Sequence, residues 1–240
     1  RTPPNISAIR PLKDGVIADF DVTKAMIKYF LTVVRKDRKI QKPKMVGGVS
    51  SGSTMVEKKA VVDACFQVGI RDTYLIEEPT AAAIGSEMPI ELPRGNMVVD
   101  IGGGTTEVAI ISLSATAYSE SLRVAGDEID ESIVRYLQKK HQIAIGAIAA
   151  EKIKLEGATV YQTEGRGNAF SVVGKDLLTG IPKSMRITSE EIREAIEEPV
   201  SAIIDSIRRA LEKLPPEFAS DLNESGMVLT GGGALLGGLD

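Results

Sequence analysis

Two short stretches set an acid or a threonine beside glycines at the point where a strand gives way to a turn. In Asp100-Ile101-Gly102-Gly103-Gly104-Thr105 an apolar run ends near a carboxylate, and a second apolar run begins after three glycines. Strands joined by so tight a turn form a hairpin. Glycines let the backbone come close to a ligand, because no Cβ blocks it. Successive N–H groups in such a bend form a concavity suited to phosphate oxygens. Asp100 would face the same anion, which is unfavourable unless a cation, most simply Mg²⁺, sits between them. The second stretch, Leu229-Thr230-Gly231-Gly232-Gly233, repeats the strand-into-glycine pattern near the end of the sequence. A third candidate is Glu78, between a short apolar strand and Pro79-Thr80-Ala81-Ala82-Ala83. Ligand sites of parallel α/β sheets gather at such strand ends, although a carboxylate at a helix N-terminus is stabilising in any case. Each motif taken alone leaves an ordinary hairpin or helix start open.

The elements that must hold these residues follow from periodicity and caps. Residues 6–20 are short apolar pieces around Lys13-Asp14-Gly15, and Asp21 is expected to cap a helix over 22–37. A basic stretch follows, from Arg35 to Lys42, which reads as a solvated loop or as a contact for an anionic surface. A buried strand is expected at 45–49, then a helix to about 68 opened by Thr54 and Glu57 as a capping box. A short strand at 73–76 and the helix with Pro79 in its first turn complete a strand–helix alternation, so the sheet should lean parallel. Beyond the central hairpin, 116–124 reads as a third strand, with helices at 126–140 and 148–155. Short strands are expected at 158–162, 170–173 and 185–187. A long amphipathic helix should run from Ser189 to about 213, kinked or split at Pro199. Pro215-Pro216 starts a short helix, and 227–229 is a last buried strand.

Composition bounds the rest. The 240 residues, 43% hydrophobic and 26% charged, describe a globular chain with a real core, large enough for two modest domains. A formal charge of −4 argues against a dedicated nucleic-acid binder. The one cysteine, Cys65, excludes an intrachain disulfide and lies on an apolar helical face as a packing residue. The one histidine, His141, sits at a helix end, where a solvated, dipole-favourable role is expected. No apolar run is long enough to span a bilayer, and no secretory signal is visible. The opening Arg1-Thr2-Pro3-Pro4-Asn5 has the composition of an internal loop, so a piece of a longer chain is expected.

Taken together, the three motifs resemble the actin-like ATPase superfamily over nearly the whole chain. Within it the runs 5–20, 76–85, 96–109 and 226–236 resemble the MreB family of bacterial shape-determining actins. The resemblance implies an α/β, two-lobed actin-like ATPase (ribonuclease-H-like) fold with ATP and Mg²⁺ in a cleft. Residues 1–95 would be the remainder of the first lobe, and 96–240 the second, with a small β/α subdomain around 148–213. It implies that Gly102, Gly103, Gly104 and Thr105 form a phosphate loop, with Asp100 near the metal. Glu78 would orient the attacking water with Thr105 assisting, in keeping with a reaction that needs a positioned water more than a strong base. Gly126 and Asp127 would form a cleft-facing turn near the nucleotide. Glu151 and Lys154, which share a helix face and could equally be an exposed ion pair, would contact the nucleoside. The turn Gly231, Gly232 and Gly233 would lie against it.

Four departures from the family pattern stand out, one being that the run Lys154-Leu155-Glu156-Gly157 is one residue shorter than usual. An N-terminal Asp-x-Gly-Thr phosphate loop is absent from these residues, so poor ATP binding, or none, is expected of them alone. Ser50 stands where the family has proline, which removes that turn's built-in rigidity. The basic stretch replaces an apolar membrane-touching loop. The implied function is an ATP-hydrolysing polymer, joined head to tail into filaments because heterologous contacts that do not close generate them. It would lie under the inner face of the cytoplasmic membrane, with cell-wall elongation machinery proteins as partners and no nucleic acid. The alternative is a monomeric ATPase of the superfamily, such as a chaperone nucleotide-binding domain; a sugar kinase lacks a sugar-recognition signature here.

Overall fold

A computed structural model of the chain describes residues 5–35, 43–161 and 169–240, in two compact units, Arg1–Glu87 and Met88–Asp240. The basic stretch expected from Arg35 to Lys42 lies, from residue 36 onward, outside the described residues, as does Gln162.

In the first unit, β1 (Leu12–Lys13) and β2 (Val16–Ile17) form an antiparallel hairpin. Its turn residues Asp14 and Gly15 have φ of 52° and 76°, the left-handed region that Gly and Asp tolerate best. Helix α1 (Phe20–Arg35) is opened by Asp19, whose Oδ1 accepts from Val22 N at 2.9 Å. Asp21 is therefore not the cap. It already lies inside the first turn, where it pairs with Lys24 at 2.7 Å instead of reaching a free N–H. Strand β3 (Lys44–Val49), helix α2 (Met55–Gln67), strand β4 (Asp72–Glu77) and helix α3 (Glu78–Gly85) follow, with β3 and β4 parallel and Val49 opposite Glu77. Thr54 and Glu57 bond reciprocally as a capping box, an arrangement that contributes about 1 kcal/mol. The turn after β3 is held without proline. Ser50 Oγ accepts from Gly52 N at 3.2 Å, and its carbonyl accepts from Ser53 N at 3.0 Å. Cys65 is fully buried, with its sulfur 3.4 Å from that of Met45, and burial pushes its thiol pKa up, as suits packing.

The second unit is built on a four-stranded sheet in the order β11-β5-β6-β7. Strands β5 (Asn96–Ile101), β6 (Thr106–Ser112) and β7 (Ala115–Leu122) form an antiparallel meander. Both faces of β5 are covered, so Met97, Val98, Val99 and Ile101 are all fully buried, with Asp100 the polar break before its end. Helix α4 (Gly126–His141), strand β8 (Ile143–Ala144) and helix α5 (Ala147–Gly157) lead to the hairpin β9 (Ala169–Asp176) and β10 (Pro182–Thr188). Helix α6 (Ser189–Glu212), helix α7 (Pro216–Ser225), strand β11 (Met227–Thr230) and a 3₁₀ turn (Gly232–Leu235) complete it.

Three expectations change here. Of the kink or split expected at Pro199, the split does not occur, since α6 continues through it. Pro199 is buried against the core, and packing of that face outweighs the lost backbone hydrogen bond. In place of a strand at 158–162, the described residues make one parallel bridge, Thr159 to Gly237. Among the described residues that segment has only the Gly237 turn to pair with, so no ladder forms there. His141 is not simply solvated: its Nε2 lies 2.8 Å from Glu191 Oε1, tying the end of α4 to the capping box that Thr188 and Glu191 make at the start of α6.

Helix α6 serves two cores. Its first half puts Ile192, Ile196 and Val200 against α4, α5 and the β8–β10 sheet. Its second half puts Ile203 and Ala210 against Met97, Val99 and Ile110 of the larger sheet. Each fully buried isoleucine contributes about 1.5–3 kcal/mol, so this one helix fixes the small sheet to the strands that carry both glycine bends.

Candidate functional site

The first bend is set by the register of its hairpin. Ile101 pairs with Thr106, leaving Gly102 to Thr105 as the turn, which the Gly102 N–H closes on the Thr105 carbonyl at 2.9 Å. The carbonyls of Gly102 and Gly103 accept from the N–H groups of Gly126 and Asp127 at 3.2 and 2.7 Å. These are the first residues of α4, which has no side-chain cap, so the turn satisfies donors that the helix would otherwise leave orphaned. With these carbonyls tied back and the Gly102 N–H spent on closing the turn, the N–H groups of Gly103 and Gly104 are the ones to offer an anion.

The second bend is brought alongside by the parallel pairing of β11 with β5, which puts Thr230 opposite Asp100. Gly231 has φ of +82°, and a Cβ built there would lie 2.5 Å from Asp100 Oδ1 and collide with the Ile101 carbonyl. A Cβ on Gly233 would collide with the Ile101 side chain. Glycine is required at both positions by proximity, and at Gly231 by conformation as well.

Between the bends lies a cavity of about 440 Å³ lined by Gly102, Gly103, Gly126, Asp127, Glu151, Lys154, Gly232 and Gly233, together with Ile129, Asp130, Leu155, Ala158, Leu235 and Leu236. Eight of the residues singled out in the sequence thus share one space. Gly104, Thr105 and Gly231 belong to the same two turns, and Asp100 to the strand that leads into the first, but all four stand outside its lining. Thr105 is buried at 8% exposure. Glu78 belongs to the first unit, where it opens α3 and lines a separate cavity of about 380 Å³ beside Gly47 and Gly48 of β3. A Cβ on Gly48 would touch the Glu78 side chain at 3.4 Å.

Two acids that the sequence reading passed over matter here. Glu107, 1% exposed, is the register partner of Asp100 and bonds Ser121 at 2.7 Å. Burial first, and then the Glu107 charge, push the Asp100 carboxyl above the usual carboxylate range. A four-residue turn after Ile101 already implied that pairing. Asp130 lies on α4 one turn beyond Asp127, a spacing that also puts it on the cavity side. Lys154 reaches across to it from α5: Nζ is 3.0 Å from Asp130 Oδ2 and donates to the Gly126 carbonyl at 2.9 Å. Lys154 therefore bridges two helices, in place of the exposed intrahelical pair with Glu151 that its spacing allowed.

Among the described residues no group of three or more His, Cys, Asp or Glu could enclose a metal by itself. The adjoining carboxylates Asp100 and Glu107 instead fit a cation such as Mg²⁺, which is bound through one or two carboxylates with the remaining positions filled by ligand oxygens and water. Among the same residues no helix is long and apolar enough to cross a membrane.

Comparison with known proteins identifies the family. The description of the MreB/Mbl protein family matches residues 1–240. The chain is 45% identical over 240 residues to the cell shape-determining protein Mbl of Bacillus subtilis, covering 100% of this chain and 72% of that protein. It is 47% identical over 241 residues to the cell shape-determining protein MreB of Escherichia coli, covering 100% of this chain and 69% of that protein. Among solved structures, MreB5 of Spiroplasma citri bound to AMPPNP superposes with a TM-score of 0.91 at 35% identity, covering 99% of this chain and 71% of that one.

Proposed function

The chain belongs to the MreB/Mbl protein family and has the actin-like ATPase fold, and on that premise we propose that it binds ATP with Mg²⁺, hydrolyses it, and polymerises into filaments that direct cell shape. The observation that carries this reading is the single cavity flanked by Gly102 and Gly103 on one side and Gly232 and Gly233 on the other. A relative of the same fold is described as bound to AMPPNP, an ATP analogue.

The roles follow from position. The N–H groups of Gly103 and Gly104 hold phosphate oxygens, with Gly126 and Asp127 bracing the turn from behind. Asp100 and Glu107 would hold the Mg²⁺, which supplies charge neutralisation at the phosphates when bound. Lys154 and Glu151 meet the sugar, and Gly231 to Gly233 form the wall on which the nucleoside lies. By resemblance to the family, Glu78, at the carboxyl end of β4, would orient the attacking water and Thr105 would assist. Phosphoryl transfer asks for such positioning and charge stabilisation rather than for covalent chemistry. Hydrolysis would alter the contacts between subunits and so filament lifetime.

The filaments would lie at the inner face of the cytoplasmic membrane and organise the cell-wall elongation machinery. Attachment would be electrostatic, through the basic residues 35–42, each contributing about 1 kcal/mol near an anionic leaflet. Sedimentation at rising protein concentration with ATP and Mg²⁺ tests the polymer. A sharp critical concentration supports it, whereas pelleting that never appears would make the protein a monomeric ATPase of the same superfamily.

A further inference from the structure

Among the described residues that line the cavity, the carboxylates are Asp127, Asp130 and Glu151 and the one cation is Lys154. Two of the three N–H groups of its ammonium are already engaged, by Asp130 Oδ2 and by the Gly126 carbonyl. The pair is well shielded, at 17% and 13% side-chain exposure. Asp130 Oδ1 is buried and has no hydrogen-bond partner among the described residues. Asp130 thus pays a desolvation cost that the Lys154 contact only partly offsets, and its carboxyl sits above the usual range because of burial, with Glu151 and Asp127 adding to the rise. Such a cost is worth explaining, since a polar neutral residue would avoid it.

We infer that Asp130 is a specificity-determining positioning residue: by neutralising and aiming Lys154 it makes this end of the cavity accept a neutral sugar hydroxyl and refuse a second phosphate. The inference rests on the nucleotide reading of the cavity. Held between Asp130 and Gly126, Lys154 keeps one N–H for a hydroxyl oxygen. Its charge is spent on Asp130, so a phosphate on the sugar would meet the Glu151 carboxylate in place of a free ammonium. The same grip fixes the ammonium to the carbonyl of Gly126, whose own N–H bonds the Gly102 carbonyl at 3.2 Å. The sugar end is in this way tied mechanically to the phosphate turn. A Cβ on Gly126 would stand 3.3 Å from both Lys154 Nζ and that Gly102 carbonyl, so a glycine keeps the junction closed.

The test is calorimetric titration of the full-length protein with ADP and with ADP carrying an additional phosphate on its ribose, at fixed Mg²⁺. The unaltered protein should prefer ADP strongly. Asp130→Asn should narrow that preference by about tenfold, because the released ammonium pairs with the added phosphate. A merely structural role would weaken both ligands by the same factor, and that result overturns the inference. Lys154→Met covers the case in which Asp130→Asn does not fold. It should weaken ADP while widening the preference, and an unchanged preference again overturns the proposal. Failure of the unaltered protein to bind ADP at all would overturn the nucleotide reading, and this inference with it.

Discussion

Asp100 Oδ1 stands where a Cβ on Gly231 would come within 2.5 Å of it. That closeness, set by the parallel register of Thr230 with Asp100, brings two bends far apart in the chain to one cavity. Gly231→Ala should therefore destabilise the second unit by more than the roughly 1 kcal/mol of an unfavourable φ, since β11 must also move away from β5. Gly103→Ala is the contrast. A Cβ there meets nothing within 4 Å, so thermal unfolding should be nearly unchanged while nucleotide affinity falls as the added methyl blocks close approach. Melting curves and binding isotherms for the two variants check both halves.

The carboxylates Asp100 and Glu107 make a pH-dependent pair. Asp100 titrates above its unfolded value because of burial and of Glu107. In the cation-free protein this lowers stability as pH rises from the unfolded carboxylate pKa through the raised folded one, and the penalty persists above that. Mg²⁺ should relieve it only where Asp100 is ionised. Asp100→Asn should consequently melt higher than the unaltered protein at neutral pH without Mg²⁺, and should lose the stabilisation that Mg²⁺ with nucleotide confers.

Glu78→Ala should slow phosphate release by about 10²-fold or more, the usual scale for loss of a group that manages the proton or water in the transition state. Nucleotide affinity should change little, because the residue addresses the water rather than the ligand. Unchanged phosphate release would remove Glu78 from the reaction.

The β9–β10 turn offers a separate titration. Asp176 accepts from Leu178 N and Thr179 N at 2.9 Å each and pairs with Lys183 at 3.2 Å. The Thr179 N–H, then Lys183 and the Leu178 N–H, hold its carboxyl down at about 2. The stabilisation is present above the unfolded carboxylate pKa and is lost as pH falls through about 2. A carbon-detected NMR titration of Asp176 should give a midpoint near that value, and Asp176→Asn should bring the hairpin amides to faster exchange.

Much of this was legible in the residues. The glycine bends announced themselves as strand ends, and the Thr54–Glu57 box and the buried Cys65 followed from local rules. What local rules missed was decided by partners distant in sequence. Pro199 stays inside α6 because both halves of that helix have cores to cover. Residues 158–161 form only a bridge, because a strand needs a second strand and Gly237 supplies one residue. Lys154 turned from Glu151 to Asp130 because α4 packs within its reach, a fact of tertiary arrangement that helical spacing does not contain. Glu107 was the avoidable omission: the length of the turn after Ile101 already set it opposite Asp100.

Backbone amide NMR during titration with ATP and Mg²⁺ tests the central claim most directly. If both bends grip one ligand, the amides of Gly102 to Gly104 and of Gly231 to Gly233 shift together along a single binding curve, while those of the β9–β10 turn stay in place. Response of only one bend, or two bends saturating at different ATP concentrations, would contradict a shared triphosphate site.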